Sequence, residues 1–304
     1  MFYNTLGFQI TNRCFCDCDM CSFRCSKNGS ENIPYSIIKN YIIQAKNNKY
    51  IKHIAFSGGD PFLRRDELFN GLYLSKSCGF ETSCYTNASW CNTSQETKNM
   101  LCELEKAKLD ILRVSIDAKH NKTIPIQNYR YLLDNFKQTN IKMFINIGVL
   151  KSDYIDTIDL LKKLEVSLLN YDVVIFPFVN TGRATLFPKD YFFRTIGFNE
   201  LKCPKNSILA IRSNGDVFAC DMCFHNLNKI ANVYDSDLKL IISAADRDKY
   251  YCLVRKRGLK WIAEQLQEKT QVEIPYPFTS SCEFCSWIHN YKVELEKIYI
   301  NERM

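Results

Sequence analysis

Apolar runs of strand character alternate with segments of helical period from the N-terminus to about residue 178. The strand-like runs are Leu6–Thr11, Ile51–Ser57, Glu81–Thr86, Ile111–Ile116, Lys142–Val149 and Asp172–Phe178. Between them, Pro34 opens a helix over Tyr35–Lys49, with Ile37, Ile38, Tyr41, Ile42 and Ala45 on one face. Similar periods cover Asp66–Ser77, Ser94–Ala107, Ile126–Gln138 and Asp153–Leu168, the last capped by Ser152 or Asp153. Repeated strand–helix units imply a parallel sheet with right-handed crossovers. Eight such units close a barrel, so the six strands here predict an α/β fold, a partial (β/α)6 barrel of TIM type that is open on one side. Barrels of this type place their chemistry at the C-terminal ends of the strands.

Beyond residue 180 the pattern changes. Ile208–Arg212 and Val217–Cys220, joined through Asn214-Gly215, predict a β-hairpin, because Asn-Gly favours the positive φ of a tight turn. Leu253–Lys269 and Trp287–Ile300 read as helices separated by the Pro-containing loop Ile274–Ser281. A boundary near Pro188–Lys202 divides the chain into a barrel over residues 1–190 and a smaller second domain over residues 191–304.

Composition narrows the class. With 46% hydrophobic and 13% aromatic residues the chain can bury a core, which excludes wholesale disorder. No stretch approaches the roughly 18 consecutive apolar residues of a membrane span, and Met1-Phe2-Tyr3-Asn4 opens no secretory signal. A cytoplasmic location, reducing and therefore hostile to disulfides, is the expectation. The 15 cysteines are odd in number and clustered, so metal ligation is their leading use. The net charge of +7 is spread along the chain and forms no basic–aromatic stripe, which argues against nucleic acid. The densest basic run, Arg255-Lys256-Arg257 with Lys260, reads as a solvated helical face or a docking surface for an acidic peptide.

Directly after the first strand lies Cys14-Phe15-Cys16-Asp17-Cys18-Asp19-Met20-Cys21. Cys18 and Cys21 form a C-x2-C pair shared by zinc and iron–sulfur sites, and Cys14 extends it to three thiolates in one loop. Three protein ligands on a four-iron cube leave one iron open to a non-protein ligand. The spacing resembles the signature of the radical S-adenosylmethionine (SAM) superfamily. Ser57-Gly58-Gly59-Asp60-Pro61 resembles its Gly-Gly-Glu-Pro-like element, with Asp60 in place of the usual Glu. Thr86-Asn87, Ser115-Ile116-Asp117, Asn146-Ile147-Gly148 and Gly182-Arg183-Ala184 resemble further family positions near strand ends. The resemblance implies that Cys14, Cys18 and Cys21 hold a [4Fe-4S] cluster that binds SAM. Gly58, Gly59 and Asp60 would position its methionine end. Ser115, Asp117 and Asn146 would lie near its ribose and carboxylate, and Met20 would stand beside adenine, where the family often has an aromatic residue. A structural zinc loop is the alternative; it leaves Gly58-Gly59-Asp60 without a purpose. Cys25 reads as a packed small hydrophobe, while Cys16 and the four histidines receive no role.

The second cysteine group is Cys203, Cys220, Cys223, Cys282 and Cys285. Its spacing resembles the SPASM/twitch extension found behind many radical SAM domains. That resemblance implies an auxiliary iron–sulfur cluster, a second [4Fe-4S], on Cys203, Cys220, Cys282 and Cys285. A zinc site from Cys220, Cys223, Cys282 and Cys285 is the rival assignment. Nearly the whole chain also resembles the radical SAM epimerases that mature epipeptides. This closer resemblance implies an enzyme that takes a hydrogen, from Cα, of a ribosomal precursor peptide with a 5′-deoxyadenosyl radical and returns one from a cysteine thiol. It would draw electrons from a flavodoxin- or ferredoxin-type reductant. The epimerases carry adjacent cysteines at the hairpin end, whereas here Asp221-Met222 separates Cys220 from Cys223, the candidate donor. Peptide cross-linking and a twitch-type dehydrogenase on a small molecule remain the alternatives.

Overall fold

The computed structural model describes residues 3–164, 171–203, 207–222 and 229–301, with residues 299–301 described by backbone alone. In chain order its first half runs β1 (Thr5–Gln9), α1 (Tyr35–Lys46), β2 (His53–Ser57), α2 (Arg65–Ser77), β3 (Glu81–Thr86), α3 (Ser94–Lys106) and β4 (Ile111–Ser115). Then come α4 (Ala118–Asn121), α5 (Ile126–Phe136), β5 (Lys142–Val149), α6 (Tyr154–Lys163) and β6 (Asp172–Pro177). The second half holds β7 (Ile208–Ile211), β8 (Asp216–Phe218), β9 (Ala231–Asn232), α7 (Leu238–Arg247), α8 (Lys249–Lys256), α9 (Leu259–Thr270), α10 (Ser281–Ile288) and α11 (Lys292–Asn301).

The α/β partial barrel is present. Strands β1 to β6 pair in parallel in sequence order, each reached from the last by helical crossovers. The hairpin continues the same sheet: β7 pairs in parallel with β1, Thr5 opposite Ile208, and β8 and β9 follow antiparallel, giving the order β6-β5-β4-β3-β2-β1-β7-β8-β9. The sheet thus has β6 as one edge, and β1 lies inside it.

Strand alternation sorts the two faces. The ring of Phe56 lies under Gly71 of α2, so closely that a Cβ there would sit 2.8 Å from it. Phe56 and its counterparts Leu6, Phe8, Ile54, Leu112 and Val114 therefore fill the layer between sheet and helices, all fully buried. The intervening residues, among them Tyr85, Arg113, Ser115, Phe144, Asn146, Val174 and Phe176, face the barrel lumen.

Three differences from the expected elements have local causes. The helix expected over Leu253–Lys269 is two helices, because Gly258 (φ 86°) takes a conformation that ends α8 and turns the chain into α9. The last helical region starts earlier than expected, at Ser281, where the hydroxyl of Ser280 accepts from the amide of Glu283 at 3.1 Å. The basic run is not uniformly solvated, since Arg255 donates to the hydroxyl of Tyr3 at 2.7 Å and to the carbonyl of Ala219. Among the described residues no helix is long and apolar enough to cross a membrane.

Candidate active site

The loop that follows β1 carries five cysteines, and the barrel top holds it by its backbone. The amide of Cys14 donates to Ser26 O at 2.8 Å, and that of Cys21 to Cys18 O at 3.1 Å. Arg183, in the short helical turn after β6, donates to Cys18 O through Nε at 2.9 Å and to Cys25 O at 2.7 Å; it also pairs with Asp17. Its own amide donates to Cys21 O at 3.0 Å. One side chain thus fixes carbonyls on either side of Cys21.

The end of β2 closes on the other side of that loop. The amides of Gly59 and Asp60 donate to Thr11 O and Arg13 O at 2.7 and 2.9 Å. A Cβ on Gly59 would lie 1.8 Å from Arg13 O, so only glycine fits this crossing of backbones. Asp60 is fully buried, and its carboxylate is spent on protein groups. It accepts from the amides of Phe62 (3.0 Å) and Asn87 (3.1 Å) and from the Thr86 hydroxyl (2.9 Å). Burial raises its pKa to about 6 against those hydrogen bonds. Asn87, tied in this way, donates from Nδ2 to the sulfur of Cys14 at 3.4 Å.

The thiols fall into two groups. The Cys16 thiol, which shares its one hydrogen between them, brings Cys14 and Cys18 below the ordinary thiol value, although burial pushes both the other way. A thiol hydrogen bond from Cys25 likewise brings Cys21 down to about 6. Cys16 and Cys25 are correspondingly raised and stay protonated. Three sulfurs inclined to ionise, supported by two neutral thiols, match a donor set for an iron–sulfur cube, whose ligands must be thiolates. Cys25 also accepts from Gln9 Nε2 at 3.3 Å, so it does more than fill space.

Sequence reasoning passed over His120, three residues beyond the strand-end Asp117. Both Asp117 oxygens lie 2.9 Å from its Nδ1, and the carboxylate also accepts from the amides of His120 and Gly148. Burial alone would lower the pKa of His120, but the Asp117 charge, its hydrogen bond and the Cys18 thiolate raise it to about 10. Asp117 stays ionised, its burial outweighed by the same ion pair. The signal in the sequence was an acidic residue at a strand end followed at i+3 by histidine. Ser115 and Asn146 face each other across β4 and β5 on the lumen side. Met20 is buried with Leu150, Ala184 and Phe192, with Phe178 and Phe187 against them, which makes an apolar corner beside the cysteine loop.

The second cysteine group also converges. The Cys220 thiol feels Cys282 and Cys285, and Cys285 feels Cys282 and Cys203; burial pushes Cys220 up and Cys285 to about 12. Tyr250 puts its hydroxyl 3.2 Å from Cys285 Sγ. Glu283, between Cys282 and Cys285, accepts from Arg194 at 3.0 Å, from the amide of Thr279 at 2.6 Å and from Asn180 at 3.5 Å. Asn180 lies three residues before Arg183, so Glu283 links the two cysteine groups. Among the described residues no three His, Cys, Asp or Glu side chains close on a single metal ion. Cys223 lies outside the described residues.

The model of the family described as "Radical SAM superfamily" matches residues 8–181. The chain belongs to the radical SAM superfamily. Membership implies one [4Fe-4S] cluster and SAM, and the three depressed thiols after β1 fit the cluster. Over 98% of its length this radical SAM chain is 22% identical to a Bacillus subtilis (strain 168) protein named "Putative peptide biosynthesis protein YydG", covering 96% of that protein. It also superposes on a crystal structure of BtrN in complex with AdoMet and 2-DOIA. There the TM-score is 0.52 at 12% identity, over 87% of this chain and 90% of that one, which shows the shared fold.

Proposed function

We propose that this radical SAM enzyme matures a ribosomally synthesised peptide, most simply by inverting a residue from L to D. The observation that carries the peptide reading is the end-to-end similarity to a protein named for peptide biosynthesis, which spans both cysteine groups. Cys14, Cys18 and Cys21 would hold the cluster, which when bound supplies the electron that splits SAM into methionine and the 5′-deoxyadenosyl radical. Gly58, Gly59 and Asp60 keep the end of β2 pressed on the cysteine loop, where the methionine end of SAM would lie. Ser115, Asp117 and Asn146 would meet its ribose and carboxylate, and the apolar corner around Met20 is suited to adenine.

Cys203, Cys220, Cys282 and Cys285 are the proposed ligands of a second, fully ligated cluster. Their convergence around Glu283 and Tyr250 supports that assignment. The segment 191–304 would act as a unit that carries this cluster against the barrel mouth, and a flavodoxin- or ferredoxin-type protein would supply electrons. Cys223 follows Cys220 by three positions and is the proposed hydrogen donor to the substrate radical, on the face opposite to abstraction.

The test is the product formed from a precursor peptide by reduced, iron–sulfur-loaded enzyme with SAM in deuterated water. Epimerisation adds one deuterium per modified residue and yields D-residues on chiral analysis. Loss of two hydrogens without deuterium uptake overturns it in favour of cross-linking or oxidation. Cys223→Ala is expected to form 5′-deoxyadenosine but no D-residue.

A further inference from the structure

One cation in the barrel lumen takes no part in that chemistry. Arg113 stands in the middle of β4, one lumen-facing position below Ser115. Its guanidinium lies between two rings supplied by its register neighbours, 5.6 Å from the Tyr85 centroid and 4.5 Å from that of Phe144. Such stacking fixes the plane of the guanidinium and leaves its edge free to donate. Among the described residues Arg113 makes no hydrogen bond and no ion pair. A cation partly withdrawn from water and left unpaired is costly, which marks a place for an anion.

The walls around it are open and apolar. Of the lumen-facing residues of β6, Asp172 is engaged by Lys142 at 3.0 Å, while Val174 and Phe176 are 40% and 39% exposed; Tyr85 is 37% exposed. Exposure of large apolar side chains on the concave face means that the lumen is not filled by the protein itself. The Asp221 carboxylate, next to Cys220, raises the Tyr85 pKa where Arg113 lowers it, so the hairpin end is near enough to act on that ring, without an ion pair to Arg113. The lumen therefore has an apolar wall on β6, an oriented cation on β4, and the second cysteine group near its rim.

We propose that Arg113 selects the substrate by pairing with a carboxylate, so that the modified peptide carries an acidic group close to an apolar side chain near its reacting residue. This rests on the peptide reading of the site. Planar, two-pronged pairing between guanidinium and carboxylate gives the geometry as well as the attraction.

The test uses full-length, iron–sulfur-loaded enzyme with SAM and two random libraries of N-acetylated peptides, one with free and one with amidated C-termini. Retained peptides are read by mass spectrometry. The wild type is expected to enrich Asp and Glu over Asn and Gln by about tenfold or more, as a charged hydrogen bond allows. Arg113→Gln should lose the enrichment, Arg113→Lys keep only the part due to charge, and Arg113→Glu turn it toward Lys and Arg. Enrichment in the amidated library assigns an acidic side chain; enrichment confined to the free-acid library assigns the peptide terminus. Equal enrichment by wild type and Arg113→Gln overturns the proposal. So does parallel loss of SAM retention by Arg113→Gln, which would assign the cation to SAM. If the wild type retains no peptide while binding SAM, the peptide reading itself falls, and this assignment with it.

Discussion

His120 shows how much one side chain can add to a recognised motif. Its pKa of about 10 against an ordinary 6.5 means that the folded chain keeps a proton that the unfolded chain has released between those values. The pair with Asp117 thus contributes in full below about pH 6.5, and its contribution is lost as pH rises through about 10. In metal-free protein the melting temperature should fall over that window more steeply for wild type than for His120→Gln; parallel curves would show that the pair does not hold a proton. This residue was hard to read from sequence because its partner is set by where β4 ends, and one strand residue more or less would aim Asp117 elsewhere. Cys14, Cys18, Cys21, Gly59 and Asp60 were legible for the opposite reason. A loop that presents three thiols, and a backbone crossing that admits no Cβ, restrict residue type at fixed spacing. What the letters did not reveal is that the Asp60 carboxylate is consumed by Phe62, Thr86 and Asn87, so its effect on any ligand passes through backbone placement.

Among elements, the parallel strands were the most legible, because burial on the helix side leaves short apolar runs such as Ile111–Ser115. Helix α7 went unread although Asp237 caps it and Leu238, Ile241 and Ala245 form its buried face. It sits in a stretch where no alternation with strands sets a rhythm. The break at Gly258 was hidden because the apolar period runs on across it, with Leu253 and Val254 before it and Leu259 and Ile262 after it buried alike. The start of α10 matters more, since it carries Glu283. Glu283→Ala leaves the partly buried Arg194 without its carboxylate and should cost on the order of 2 kcal/mol in denaturant unfolding. With the proposed second cluster loaded, the same variant should lose that cluster's iron before the first cluster's, as resolved by their spectra. Loss from both together would show that Asn180 and Arg183 transmit the damage to the loop after β1.

At the scale of the whole molecule, the sheet leaves β6 as an edge next to open lumen, and Ile175 there is 59% exposed on the face away from the lumen. An apolar edge strand is a template for pairing with another chain. Ile175→Lys is therefore expected to reduce self-association at high concentration, as read by light scattering, with peptide retention unchanged. The other end of the order has a different significance. Strand β1 is interior, and one of its two neighbours, β7, begins at Ile208. Ribosomes extend a chain by about 5–20 residues each second, so β1 waits roughly 10–40 s for that neighbour to be made. During synthesis the five thiols from Cys14 to Cys25 hang from a half-paired strand, before Arg183 exists to fasten their carbonyls. Iron delivered during that interval would meet a loop with no fixed shape, and oxidants would meet unprotected sulfur. Cluster insertion is thereby a step expected after translation, and because the thiols stay open to oxidants until then, the yield of loaded enzyme in a cell should fall with oxygen tension both during synthesis and in the interval after it.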